Sequence, residues 1–355
     1  MIRHYETNFS AKTLFSALFK EKTSEITDFF RKKFGKEVIL TSSGSSAIYI
    51  ALKDIEEKSG SGQVITSNYS CKAIPRAIIK AGFRPIFVDI DLNLSMNKKL
   101  LLKAIKENKD VKAIIAWHPE GFVFDRRIFK IAKRYKIPLI EDCASSLAKV
   151  NGKLVGGRGD YAVFSFRTGK LIHGGGGALI SKDRIDISLK NKNYLLVFIN
   201  LLDLFLRKFL NIKKVKAVFD HFFDHPGNEK MSKAESYIVY SQLENMDRIR
   251  TKRIENYNLI SKNKIKNLMK LNKIGVVPCP TSIILLKNNR KDFVNHLKKN
   301  GILISTDHSH VNSDVLDEKF YGDKNSRFIA SRICHLPVHE FLSNEDVGKI
   351  KRFAK

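Results

Sequence analysis

Lys170 sits in the stretch SFRTGKLIHGGGGALIS, residues 165–181, between a hydroxyl-bearing run and four successive glycines, Gly174 to Gly177. A held amine attacks carbonyls or moves protons. Glycine supplies positive φ and lets backbone approach a neighbour closely, so four together point to a shaped loop beside a ligand. A flexible surface loop with a solvated lysine shows the same local pattern, because glycine-rich matches discriminate poorly on their own. A second group lies in SSGSSAIYIAL, where Gly44, Ser45 and Ser46 stand at the mouth of a helix. Unsatisfied N–H groups and the positive end of the helix dipole favour an anion there, although an N-cap serine with no ligand accounts for the same residues. The third is Asp142 in IEDCASS, which has the chemistry of a metal ligand, a general base or a partner for a protonated ring nitrogen. Neither HxxxH spacing nor an acidic cluster accompanies it, so no metal is expected.

These groups need elements to hold them. From about Lys36 to Ser181 short apolar runs alternate with helical stretches: VILTSS then SSAIYIALKDI, QVITSNY then KAIPRAIIKAG, PIFVDID then MNKKLLLKAIKE, and onward through KAIIAWH, IPLIEDC, YAVFSF and GALIS. That rhythm predicts an α/β fold, a three-layer, mostly parallel sheet with helices on both faces. Ligands of such sheets sit at the carboxyl ends of the strands. TSSGSS, SNYS, WHPEG and EDCASS all fall at those ends.

Residues 193–223 break the rhythm and read as helix, with an apolar part of 14 residues that contains Asp203. A membrane span needs about 20 apolar residues, so the segment is a buried dimer-interface helix, a lid over the site, or an amphipathic helix making peripheral membrane contact. MSKAESYIVYSQLENMDRIRTKRIENYNLI follows as one long amphipathic helix, and a second, smaller α/β unit closes the chain. The division expected is 1–245 and 246–355.

Composition bounds the rest. The 355 residues suffice for more than one structural unit. Cys71, Cys143, Cys279 and Cys334 form no CxxC pair, so a reducing, cytoplasmic setting without disulfides is expected. The polar N-terminus lacks a signal-peptide core. A net charge of +28 suits an acidic partner, but the lysines are spread along the chain without a nucleic-acid motif, so no nucleic acid is expected.

An anion cradle, a strand-end carboxylate and a held amine are together what pyridoxal 5'-phosphate requires. Five motifs, from about Gly35 to the end, resemble the DegT/DnrJ/EryC1/StrS sugar aminotransferases, fold type I pyridoxal-phosphate enzymes. SSGSSAIYIAL resembles that family's SGTxAL turn and AWHPEG its VHLYG strand end. IPLIEDCASS through SFRTGK resembles the run from EDAAQ to SFHPTK, GNEKMSKAESYIVYSQLENM the GYNYRMSELQAAIGLAQL helix, and RICHLPVHEFLSNEDV the LPLHPxLTxEDV ending.

The resemblance implies that Lys170 is the Schiff-base lysine and Asp142 the pyridinium partner. Gly44, Ser45, Ser46 and Ser165 are the implied phosphate contacts, with Asn228 reaching the phosphate of a neighbouring subunit, so that a homodimer carries composite active sites. Tyr69, Cys71 and Ser145 are implied around the cofactor ring, and His118 and Lys230 toward the substrate. Three departures stand out: Cys71 occupies the family's aromatic stacking position, Ser145 replaces a glutamine or histidine, and the glutamate of the family's GEGG is missing from Gly174–Gly177. A dehydratase branch carries histidine at the lysine position, so Lys170 implies transamination, from an amino acid such as glutamate to a nucleotide-linked keto-sugar. The alternative is a cofactor-binding family member with little turnover, acting as a partner or regulator.

Overall fold

The computed structural model describes residues 1–6, 9–206, 226–262, 275–306 and 310–354. Two helices, α1 (Ala11–Ala17) and α2 (Thr23–Phe34), precede β1 (Glu37–Thr41). Strand and helix then alternate: α3 (Gly44–Ser59), β2 (Gln63–Ser67), α4 (Ala73–Lys80), β3 (Arg84–Val88), α5 (Lys98–Glu107), β4 (Val111–Trp117), α6 (Arg127–Tyr135) and β5 (Leu139–Asp142). A small hairpin, β6 (Lys149–Val150) and β7 (Lys153–Leu154), leads to β8 (Tyr161–Ser165) and β9 (Gly177–Ser181).

These strands and β12 (Phe320–Tyr321) form one sheet in the order β1-β9-β8-β5-β4-β2-β3-β12. Pairing is parallel from β8 through β12, and only β9 runs against its neighbours β1 and β8. Apolar residues cover both faces, as a sheet clad by helices on each side requires. Ile140, Val163 and Leu179 pack with Ile50 and Ile55 of α3, whereas Ile65, Ile114 and Leu139 pack with Leu101 of α5 and Ile128 of α6. Phe164 and Ile180 meet Ile26 and Phe30 of α2. The expected three-layer, mostly parallel architecture is therefore the observed one.

Beyond β9 the helix Tyr194–Phe205 covers the described part of the long apolar segment, and residues 207–223 lie outside the described residues. Leu204 packs inward with Leu14 and Ile238, and Leu195 and Phe198 face outward, 63% and 60% exposed. Among the described residues no helix is long and apolar enough to cross a membrane. The single amphipathic helix expected next is instead two, Lys233–Leu243 and Met246–Ser261. At the break, Asn245 has a ψ of 10° and its amide bonds Gln242 O, three residues back, which interrupts the four-residue ladder.

VVPCPTSIILLK likewise divides into β10 (Val276–Val277) and β11 (Ser282–Leu286), because prolines at 278 and 280 remove ladder donors between them. β11 pairs with β13 (Ile333–Pro337), and helices Arg290–Lys299, Lys324–Ala330 and Asn344–Phe353 complete this part. Its core of Ile283, Leu285, Leu336 and Ile350 is continuous with Tyr69, Trp117 and Phe122. The C-terminal elements thus pack against the same strand ends that carry the polar motifs.

Candidate active site

The loop holding Lys170 is closed at its neck. Gly174 N–H and Gly175 N–H both donate to Phe166 O at 2.8 Å, and Phe166 N–H donates to Gly176 O at 3.0 Å. Leu171 and Ile172 are buried in the core beneath it, so this is an anchored loop and the solvated-surface reading does not hold. The glycines are required by what lies against them. Gly175 and Gly176 have φ of 111° and 81°, and a Cβ on Gly177 would lie 2.6 Å from the carbonyl carbon of Ser43. The start of β9 can therefore run beside the first turn of α3 only without side chains. Lys170, half-buried, donates its amine to Ser145 Oγ at 3.1 Å.

Ser43 caps α3, its Oγ accepting from Ser46 N–H at 3.0 Å and lying 2.9 Å from Ser45 Oγ. Gly44 begins the helix where a Cβ would lie 2.7 Å from Ser165 Cβ, so the first turn presses on the end of β8. The serine-rich turn and Ser165 form one edge of a cavity whose lining also includes Cys71, Trp117, Asp142, Ser145, Arg167 and Lys170. A helix start in this position turns free N–H groups and the positive end of its dipole toward the cavity, the chemistry an anion needs.

β4 and β5 meet in parallel register with Trp117 opposite Asp142 and Ala116 opposite Glu141. Successive strand residues point to opposite faces. Trp117 and Asp142 accordingly line the cavity, and Asp142 Oδ1 accepts the Ala144 amide at 2.9 Å. His118 and Glu141 turn away from it. His118 is buried against Phe124, with Nε2 3.1 Å from Glu141 Oε2. Glu141 also accepts the amides of Gly156, Arg158 and Gly159. Burial pushes the Glu141 carboxyl up, but the bonds from His118 and from the Gly159 and Arg158 amides outweigh it and hold the group below the usual carboxylate range. Cys143 completes a set whose possible ligand atoms lie within 4.8 Å of one another. With its oxygens engaged by four donors, Glu141 reads as a clamp for the 156–159 turn.

Of the residues expected from sequence, the cavity brings together Gly44, Ser45, Cys71, Asp142, Ser145, Ser165 and Lys170. The others lie elsewhere. Ser46 faces inward, 2.9 Å from Ser42 Oγ and accepting the Gly227 amide. Tyr69 is fully buried beside Trp117, their ring centroids 6.3 Å apart. His118, expected toward the substrate, lies as a buried partner of Glu141 on the face that strand parity turns from the cavity. Asn228 donates to Ser188 O at 3.1 Å in its own chain, and Lys230 is exposed, its backbone bridging Thr41. Sequence reasoning missed Trp117 and Arg167. The first was legible as the residue before the strand-end histidine, and the second as the middle of SFRTGK.

Residues 20–353 match the model of the DegT/DnrJ/EryC1/StrS aminotransferase family. The chain is 28% identical over 343 residues to an uncharacterized protein of Methanocaldococcus jannaschii, covering 92% of this chain and 87% of that one. It is 27% identical over 332 residues to a dTDP-4-amino-4,6-dideoxy-D-glucose transaminase of Shigella dysenteriae, covering 87% of this chain and 82% of that one. The fold matches a Helicobacter pylori aminotransferase involved in the biosynthesis of pseudoaminic acid, with a TM-score of 0.78 at 19% identity over 99% of this chain and 97% of that one. A family match over nearly the whole chain, on a sheet of this topology, makes the protein a member of the DegT/DnrJ/EryC1/StrS aminotransferase family, a transaminase whose cofactor is pyridoxal phosphate.

Proposed function

We propose that this transaminase moves an amino group from an amino acid, glutamate foremost, to the keto carbon of a nucleotide-linked sugar, for amino-sugar and surface-polysaccharide biosynthesis. The observation that carries this reading is the convergence of Lys170, Asp142 and the start of α3 on one cavity. The residues fit the cofactor: Gly44 leaves no Cβ between the first turn of α3 and Ser165, and the donor set is hydroxyls and amides for a phosphate, a carboxylate for a ring nitrogen and an amine for an aldehyde. When bound, pyridoxal phosphate supplies the electron sink for a charge developing at the donor's Cα.

The chain supplies the rest. Ser45, Ser165 and the amides opening α3 hold the phosphate. Asp142 keeps a proton on the ring nitrogen by its charge. The Lys170 amine, oriented by Ser145 Oγ, takes the proton from the donor's Cα and delivers it across the site as general acid and base. The apolar side chains of Trp117, Ile48, Ile74 and Val163 line the cavity and disfavour water there. A net charge of +28 favours a substrate that carries a diphosphate. The reading includes a cytoplasmic homodimer in which Asn228 contacts the phosphate of the partner's site. It also includes a cofactor unit at 1–245 and a smaller unit at 246–355, with peripheral membrane contact through the outward face of Tyr194–Phe205.

The test is a two-stage reaction with the cofactor-loaded protein. Glutamate should discharge the cofactor's visible absorbance and release 2-oxoglutarate, and one member of a panel of keto-sugar nucleotides should restore it. If no amino acid discharges the band, the cofactor-binding partner without turnover becomes the better reading. Discharge with no restoration across the panel removes the nucleotide sugar as acceptor.

A further inference from the structure

Behind the cavity, four segments meet at a carboxylate that the site chemistry does not use. Glu235, on the helix Lys233–Leu243, is 0% exposed. Its Oε1 lies 2.5 Å from Lys192 Nζ and accepts from Asn200 Nδ2 at 3.1 Å, while its Oε2 accepts Ser232 N–H and Ser232 Oγ–H at 3.1 and 2.9 Å. Two of these partners reach the supports of the site itself. Lys192 Nζ is 3.5 Å from the carbonyl of Ser42, the residue before the α3 cap. Asn200 Nδ2 also donates to Gly174 O at 3.1 Å, in the neck of the loop that carries Lys170. Gly175 presses directly on the cluster, since a Cβ there would stand 2.3 Å from Glu235 Oε1 and 2.6 Å from Asn200 Nδ2.

We propose that Glu235, with Lys192 and Asn200, is a positioning cluster that sets the separation between the phosphate cradle at the start of α3 and the amine of Lys170. None of the three lines the cavity, so they act through Ser42 and through Gly174–Gly175. A buried ion pair is weak evidence for stability, because apolar residues of similar volume often serve the fold as well. What such residues do not reproduce is the fixed geometry of one carboxylate oxygen that joins a strand end to a loop neck. The proposal rests on the pyridoxal-phosphate reading of the site, and its test separates the two.

The measurement is the rate at which borohydride traps each of two aldehydes on Lys170, read at the peptide that contains it: pyridoxal phosphate, and pyridoxal without the phosphate. Their ratio reports how well a phosphate seated in the cradle delivers its aldehyde to the amine. In Lys192→Met/Glu235→Leu the ratio should fall about 10- to 100-fold, the range for misplacing a reacting group by about 1 Å, with the pyridoxal rate nearly unchanged. Asn200→Ala, which keeps the ion pair and removes the link from Glu235 to Gly174, should lower the ratio less. Lys192→Met/Glu235→Gln, which keeps the acceptor for Asn200 and not the link to Ser42, should recover the ratio only in part. General destabilisation would slow both aldehydes together and leave the ratio alone. A wild-type ratio in the folded double variant overturns the proposal, and if that variant fails to fold, a wild-type ratio in Asn200→Ala does the same. If neither aldehyde labels Lys170 in the wild type, the site assignment itself fails, and the proposal with it.

Discussion

Gly44→Ala tests whether the start of α3 is a phosphate cradle built by close approach. The added Cβ would lie 2.7 Å from Ser165 Cβ, 3.1 Å from its Oγ and 3.4 Å from its Cα. Carbon pairs rest at about 3.5–4.0 Å, so the two elements must separate by roughly 1 Å. Ser165 Cβ cannot swing away, because it is fixed to a backbone paired with Gly177 across β8 and β9. Overpacking of this kind costs about 1–3 kcal/mol, and the better helix propensity of alanine offsets at most about 1 kcal/mol of it. Stability should therefore fall by no more than about 3 kcal/mol. Cofactor affinity should suffer more, because each weakened amide bond to a charged phosphate is worth about 1.5–3 kcal/mol. One such bond lost is roughly a 10- to 150-fold rise in Kd. The chain's single tryptophan, Trp117, lines the cavity, so quenching of its fluorescence reports binding directly. Ser165→Gly removes the opposing Cβ, and the pair of substitutions should couple favourably in a thermal-unfolding cycle. Wild-type affinity for pyridoxal phosphate in Gly44→Ala would refute the reasoning.

Lys170→Ala should leave a folded protein that binds the cofactor without a covalent link and cannot turn over; borohydride labelling of wild type at another lysine would reassign the role. Asp142→Asn should retain the cofactor and slow both half-reactions, since a neutral amide cannot hold the ring proton by charge, and stopped-flow absorbance would show wild-type rates if that is wrong. Cys71, which lines the cavity, should be the cysteine that iodoacetamide modifies in the native protein, with pyridoxal phosphate protecting it. Burial pushes the Cys143 thiol well up and those of Cys279 and Cys334 to about 11, so mass spectrometry should find these three unmodified. Burial, and then the charge of Arg253, pushes His339 down to about 4 from an ordinary 6.5, so the unfolded chain takes up this proton before the folded one. Stability should accordingly decline as pH falls from about 6.5 to about 4, by about 3 kcal/mol in urea titrations, and His339→Gln should flatten that window.

How much of this was legible in the chain depended on how local its cause is. Apolar runs such as VIT, PIFV and AIIA mark strands because each must be buried on both faces, and the glycine run marked a close approach because little else tolerates one. Both signals are carried by adjacent residues. Side choice within a strand is not so carried. WH at 117–118 and ED at 141–142 each offer two chemically able neighbours, and only the register of β4 on β5 sends Trp117 and Asp142 to the cavity and His118 and Glu141 away from it. Asp142 was legible as a carboxylate at a strand end, whereas His118 was expected near the substrate from the resemblance of AWHPEG to a family motif, which does not carry the side choice. The same reasoning explains why Asn245 was invisible as a break: one asparagine costs a helix little, and the loss of one ladder bond depends on what the flanking helices pack against. The Lys192–Asn200–Glu235 cluster is the extreme case. Its outermost members lie 43 positions apart in the chain, and nothing in their types predicts that one carboxylate will meet an amine bound to Ser42 and an amide bound to Gly174. Most residues that gather at this cavity can thus be named from sequence, but the distance between the start of α3 and the Lys170 amine depends on contacts that exist only once the sheet is assembled.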